Sequence, residues 1–281
     1  MAYNPNAIMR EETKEKYLKG MKMYLDGSSI EQIAKELRLE RRCFSQFLKD
    51  NGIEVKNPTS KRKMNEDFFE TIDTEEKAYW LGFLYADGCI TVRLRNGKIK
   101  SMTLEVALKG SDDGHLVKFM DSLEYSNYKI THRILKDSDT CRVGVYCTKL
   151  CRDLIDKGCT PKKSLTLQFP TYDIVPKDLM KHFIRGYVDG DGYLGIKHNN
   201  TYDTLRFSVC SGSEEFLLSL VKEMGLKDTD YKCRKDKRSN LYVIEFHREP
   251  TLRIVNYIYK DSKVHLTRKY DLVLPFIENV D

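Results

Sequence analysis

What most constrains this chain is an internal repeat. "LGFLYADG" from residue 81 matches "RGYVDGDG" from 185, an offset of 104. "KGSDDGHLVKFM" from 109 matches "SGSEEFLLSLV" from 211, an offset of 102. "CRVGVYC" from 141 matches "LYVIEFH" from 241, an offset of 100. "PKKSLTLQFP" from 161 matches "LTRKYDLVLPF" from 266, with Lys163 over Lys269 at an offset of 106. Four anchors in one order at nearly one spacing mean a duplicated unit, so whatever one half folds into, the other must fold into as well.

Each half predicts the same order of elements. A helix ends in the D-G element, and two strands follow, at 89–95 and 101–109 in the first half and at 192–198 and 204–210 in the second. Ser111 and Ser213 are placed to cap a second helix. Two more strands come at 128–135 and 141–147, then at 230–235 and 240–246, and a third helix lies near 149–157 and 250–260. The strands alternate. Ile90, Val92 and Leu94 share one face, as do Met102, Leu104, Val106 and Leu108, and in the second half Leu205, Phe207 and Val209. One face of each sheet is therefore core and the other polar. Arg93, Arg95, Lys98 and Lys100 cluster on the first hairpin, and Lys232, Arg234, Lys235, Lys237 and Arg238 on a later one. Arg142, Lys197 and Arg206 add to this basic set. It reads either as ordinary solvated charge or as a surface for duplex DNA.

Charge separates the beginning of the chain from the rest. Residues 1–63 carry 14 basic and 9 acidic side chains, net +5, while the other 218 carry 34 and 33, net +1. Ser28 and Glu31 have capping-box spacing, and Ile30, Ile33, Ala34 and Leu37 then form one apolar stripe. A further helix starts near Glu40, carries Phe44, Phe47 and Leu48, and stops at Asn51-Gly52. A supporting helix spans residues 10–25, with Tyr17, Leu18, Met21 and Tyr24. The "IAKEL" helix, the short turn and "FLKDNGI" resemble the helix-turn-helix modules of DNA-binding proteins. That resemblance implies base contacts from Glu40, Arg41, Arg42 and Ser45. The alternative is a small three-helix domain that binds protein.

The domains expected are residues 1–55 as the helix-turn-helix domain, 56–70 as a basic linker, and 71–172 and 173–281 as the two halves. The eight cysteines include no C-x-x-C pair, so reduced, buried thiols are expected rather than zinc ligands or disulfides. The opening "MAYNPNAIMREETKEK" has no apolar signal core and no apolar run reaches membrane-span length, which predicts an intracellular protein with no membrane partner.

The paired D-G elements carry the sharpest signal. "WLGFLYADG" (80–88) and "IRGYVDGDG" (184–192) each have a small residue third, an acid eighth and glycine ninth. These two copies resemble the paired motif of the LAGLIDADG homing endonucleases in their single-chain form. The fold implied is α+β, with pseudo-two-fold duplicated αββαββα halves forming a DNA-binding saddle of antiparallel sheets, plus the small all-α amino-terminal domain. Gly82 and Ala86 lie four apart, as do Gly186 and Gly190, so the two helices can pack closely. Asp87 and Asp191 then meet at the seam, where two carboxylates at negative helix ends invite a cation.

By resemblance, Asp87 and Asp191 bind Mg²⁺ or another divalent ion such as Mn²⁺, helped by the carbonyls of Ala86 and Gly190. Lys163 and Lys269 are the basic catalytic partners that it implies. The activity implied is metal-dependent, staggered cleavage of double-stranded DNA at a long site by a monomer. The alternative is a catalytically silent DNA-binding regulator or an RNA splicing maturase on the same scaffold. Asp189 aligns with Tyr85 and on that ground reads as incidental.

Overall fold

The computed structural model describes residues 11–55, 63–136, 138–198, 200, 203–236 and 239–277. Residues 56–62 of the expected linker, together with Lys237 and Arg238, lie outside the described residues. The chain forms two compact units, residues 1–62 and 63–281.

The first unit holds three helices, α1 (Glu11–Leu25), α2 (Ile30–Glu36) and α3 (Arg41–Asp50). Tyr17, Ile33, Cys43, Phe44, Phe47 and Leu48 form its core. Leu18 is exposed and drops out of the expected stripe. The capping box falls one residue later than the spacing suggested: Ser29 Oγ accepts from Gln32 N–H, and Gln32 Oε1 takes the Ser29 N–H. The α2–α3 turn has no glycine, and Arg38 itself takes the left-handed conformation there (φ 54°). Glu40 is the N-cap of α3, its carboxylate accepting from Cys43 N–H at 2.8 Å. That satisfies an otherwise unpaired helix donor.

The second unit is α+β, and the duplication is explicit in it. The first half runs α4 (Glu75–Asp87), β1 (Gly88–Arg95), β2 (Lys98–Lys109), α5 (Asp113–Ser122), β3 (Thr131–Leu135), β4 (Ser138–Val145) and α6 (Thr148–Asp156). The second runs α7 (Met180–Asp191), β5 (Gly192–His198), β6 (Asp203–Ser211), α8 (Glu214–Glu223), β7 (Tyr231–Asp236), β8 (Leu241–Phe246) and α9 (Arg248–Tyr259). A last helix, α10 (Thr267–Ile277), has no counterpart in the first half, where only a short 3₁₀ turn carries Lys163. Each half makes one antiparallel four-stranded sheet, in the orders β1-β2-β4-β3 and β5-β6-β8-β7.

Helices α4 and α7 form the centre. From Ala78 to Tyr85 every residue of α4 is buried, as are all of Met180 to Asp189 except Lys181. A helix apolar on all sides has to be buried on all sides. Each large side chain so buried contributes about 1.5–3 kcal/mol. The two helices run the same way. A Cβ added at Gly82 would collide with the Phe183 carbonyl, and one at Gly186 with the Tyr79 carbonyl. Further along, one at Gly190 would collide with Ala86. The small residues are thus where the backbones touch.

Two details depart from the sequence pattern. Ser111 lies in a 3₁₀ turn before α5 and does not cap it; Asp112 holds the N-cap position without a side-chain cap bond. Its carboxylate is instead taken by Arg268. Leu94 is also out of the core, at 65% exposure. The β1–β2 register shifts between Arg93 and Leu94, and residues 93–100 of the hairpin are all exposed.

Candidate functional site

At the ends of α4 and α7 the burial pattern opens. Ala86 and Asp87, and likewise Gly190 and Asp191, are half-buried after a run of wholly buried residues. Asp87 lies over the partner helix: a Cβ on Gly190 would stand 2.9 Å from Asp87 Oδ2. Two small cavities flank the seam. One of about 180 Å³ is lined by Asp191, Ala86, Lys163, Tyr187 and Ser211 among others. The other, of about 230 Å³, is lined by Asp87, Gly190, Asp189, Lys109, Asp112 and Arg268 among others. Each cavity therefore combines the acid of one helix with the small residue preceding the acid of the other.

The electrostatics mark these carboxylates as undercompensated. Burial, with the Asp191 charge behind it, pushes the Asp87 carboxyl up to about 7. Asp191 is raised too, by burial, with Lys163 pulling the other way. Among the described residues, no group of three or more His, Cys, Asp or Glu side chains could hold a metal ion. The donor set instead is two carboxylates beside helix-end carbonyls. That set fits a hard divalent cation such as Mg²⁺, which binds through one or two carboxylates and keeps several of its waters. Asp87, Asp191 and the carbonyls of Ala86 and Gly190 are the groups that would hold it.

Lys163 and Lys269 both turn to main-chain carbonyls at the ends of the central helices. Lys163 is buried and its ammonium donates to the Gly88 carbonyl. Lys269 is buried and donates to the carbonyls of Val188 at 2.7 Å, Asp189 at 2.8 Å and Gly192. Burial lowers the Lys269 pKa to about 8, with Asp189 opposing the shift. Helix C-termini carry carbonyls without intrahelical partners and a negative dipole end. Both ammoniums therefore serve as anchors for the two turns that carry the acids.

Asp189 is not incidental. It is buried and accepts from Tyr79 Oη at 2.7 Å, Tyr259 Oη at 2.5 Å and Leu266 N–H at 2.7 Å. Burial raises its pKa. Its repeat partner Tyr85 also bonds inward, to the Lys157 carbonyl. Nearby, fully buried Arg185 reaches Glu75 Oε1 at 2.6 Å, the Val264 carbonyl at 2.8 Å and the Ile258 carbonyl at 2.8 Å. These bonds tie the segment 262–269 to both halves. The sequence held the signal in the form of two charged residues, Arg185 and Asp189, within the fully buried run 183–189.

The sheet registers sort the basic residues by face. Residues paired across antiparallel strands share a face. In the first sheet Arg93 pairs with Ser101, Arg95 with Lys98, Arg142 with Thr131 and Ala107, and Arg133 with Thr140. All of these lie opposite the buried Leu104, Val106, Cys141 and Val143. Arg133 is an addition the sequence pattern did not yield. Lys100 falls at the register shift. In the second sheet Lys197 pairs with Thr204, Arg206 with Gly195, Lys232 with Glu245 and Arg234 with Val243, again on the polar face. Lys235 does not share it: it pairs with Tyr242 and stands over that ring at 5.1 Å. Glu105 and Glu245 offset part of the charge, through ion pairs with Arg142 at 3.3 Å and Arg234 at 3.0 Å. In the first unit Arg42 is exposed, Ser45 is half-buried, and Arg41 is paired with Glu31 at 3.0 Å.

Fold and site together define a class of protein: one chain of two fused αββαββα repeats, whose central helices meet and each end in a carboxylate beside its own cavity. The chain is similar to solved structures of LAGLIDADG homing endonucleases. The I-LtrWI enzyme bound to target DNA is 12% identical with a TM-score of 0.46, covering 75% of this chain and 90% of that one. The meganuclease I-CpaMI bound to uncleaved DNA is 16% identical with a TM-score of 0.45, covering 72% and 89%. A Methanocaldococcus jannaschii protein described as a probable translation initiation factor IF-2 is 29% identical over 144 residues, 50% of this chain and 11% of that protein. The chain thus spans about a tenth of the length of that curated relative. No family model matches it. Among the described residues no helix is long and apolar enough to cross a membrane.

Proposed function

We propose that the protein is a site-specific DNA endonuclease that makes staggered double-strand breaks in a divalent-metal-dependent reaction. The observation that carries this reading is the pair of half-buried carboxylates, Asp87 and Asp191, each opening on its own cavity at the close-packed ends of α4 and α7. Two acids at two equivalent positions suit two scissile phosphates, one on each strand. Held by Asp87, Asp191 and the carbonyls of Ala86 and Gly190, Mg²⁺ or Mn²⁺ would supply charge stabilisation at the phosphoryl oxygens and a more acidic water.

The rest of the site acts by position. Lys163 and Lys269 fix the helix-end turns so that the two acids stay in register. The polar sheet faces, with Arg93, Arg95, Lys98, Arg133 and Arg142 on one and Lys197, Arg206, Lys232 and Arg234 on the other, would follow the DNA backbone. The amino-terminal unit, acting as a helix-turn-helix module through Arg42, Ser45 and the start of α3, would lengthen the recognised site. The working form is a monomer, since one chain supplies both acids.

The test is incubation with Mg²⁺ and a library of random duplexes, followed by sequencing of the ends. Metal-dependent breaks at one long site support the proposal. Tight, specific binding without breaks in any divalent metal would replace it with a DNA-binding regulator or maturase.

A further inference from the structure

The two cavities are alike in their acids and unlike in their cations. In the Asp191 cavity the cation is Lys163, buried and turned to the Gly88 carbonyl. The Asp87 cavity contains Arg268, whose side chain is 53% exposed. Arg268 Nε donates to both oxygens of Asp112, at 3.0 and 2.9 Å, and the Asp112 side chain is only 7% exposed. Among the described residues no partner takes the two terminal amino groups of this guanidinium. An arginine anchored through Nε, with both amino groups unengaged, is a preformed fork for the oxygens of a phosphate.

We propose that Arg268 binds the scissile phosphate at the Asp87 site, with Asp112 as the residue that positions it, and that the Asp191 site has no such arginine. The inference rests on the endonuclease reading above. The repeat supports the one-sidedness. Arg268 aligns with Lys162 and Asp112 with Glu214, at the offsets of their anchors. Lys162 is exposed, sits in a left-handed turn (φ 59°) and forms no ion pair with Glu214 among the described residues. Lys109, a second exposed cation of the Asp87 cavity, likewise aligns with uncharged Ser211. The two strands are therefore cut by chemically different centres. Arg268 stabilises charge on one scissile phosphate only.

The test uses the duplex recovered from the library, labelled at the end of either strand in turn, with full-length protein and Mg²⁺. Arg268→Gln slows one strand by about 100-fold, the loss typical when one preorganised donor to a developing oxyanion is removed. It leaves the other strand within twofold, so nicked duplex accumulates. The slowed strand is the one more affected by Asp87→Asn. Asp112→Asn slows the same strand by a smaller factor, and Arg268→Lys falls between wild type and Arg268→Gln. Loss of one phosphate contact also lowers the slope of log K against log salt by about 0.9 in metal-free binding. Equal slowing of both strands, or wild-type rates on both, overturns the assignment of Arg268 while leaving the nuclease reading intact. A wild-type protein that cuts no duplex overturns both.

Discussion

The Tyr79 hydroxyl donates to Asp189 Oδ2 at 2.7 Å, joining the first repeat to the second through a carboxylate that water does not reach. Tyr259 and the Leu266 N–H complete the same acceptor. Hydrogen bonds to a buried charge contribute about 1.5–3 kcal/mol each, so Tyr79→Phe and Tyr259→Phe should each destabilise by that amount. The double variant should fall short of the sum, because both hydroxyls serve one carboxylate. Urea unfolding midpoints of the two singles and the double measure this; strict additivity would refute a shared acceptor.

The same hydroxyl fixes a histidine. Tyr79 has one proton and gives it to Asp189, so His115 Nε2, 3.0 Å from that oxygen, must be the donor between them. Nδ1 is then the bare nitrogen, and it is buried without a partner. Burial, reinforced by Lys118, His265, Arg268 and Lys269, lowers the His115 pKa to about 3. An unfolded histidine titrates near 6.5, so between about pH 6.5 and 3 the unfolded chain binds a proton that the folded one refuses. Stability from this residue is present above that window and lost as pH falls through it. Asp87, Asp189 and Asp191, all raised by burial, work in the opposite direction. The comparison must therefore be made by difference. Between pH 7 and pH 5, wild type should lose about 2 kcal/mol more than His115→Gln. Parallel pH profiles would contradict the assignment.

At the helix seam, Gly82 and Gly186 leave no room for a Cβ against facing carbonyls. Gly82→Ala and Gly186→Ala should each cost about 3 kcal/mol or more, because backbone rather than a flexible side chain must move. Gly114, exposed in α5 with nothing within 4 Å of an added Cβ, is the control. Gly114→Ala should stabilise by about 0.5–1 kcal/mol. Thermal melts of the three variants give the order.

The sheet registers make a prediction about DNA. Arg206→Ala and Lys232→Ala should each weaken binding at every sequence and lower the salt slope by about 1. Lys235→Ala, on the opposite face against Tyr242, should change neither. Fluorescence anisotropy titrations at several salt concentrations separate the two outcomes.

Much of the fold was legible because a duplication states its own boundaries. The "ADG" and "GDG" ends, the alternating strands and the small residues four apart in α4 and α7 all depend on local spacing. What was not legible depends on distant partners. Asp189 looked dispensable because its repeat partner is Tyr85, and its three hydrogen-bond donors come from elements 70 to 110 residues away. Lys163 and Lys269 were recognisable as a pair, but nothing in "PKKSL" or "TRKYD" says that their ammoniums turn to main-chain carbonyls. One-residue errors had local causes. Ser28 and Ser29 compete for one cap, and the shift after Arg93 defeats strict alternation. The α10 helix stayed hidden because the first half has no matching helix and Pro275 interrupts its pattern.

The central claim is that Asp87 and Asp191 are paired cleaving acids, one for each strand. Its most direct test is the strand-resolved cleavage of the selected duplex by Asp87→Asn, Asp191→Asn and the double variant in Mg²⁺, with binding measured alongside. The account predicts that neither single variant makes double-strand breaks, that the double variant cuts neither strand, and that all three bind the duplex as wild type does. Double-strand cleavage that survives in the double variant would contradict it.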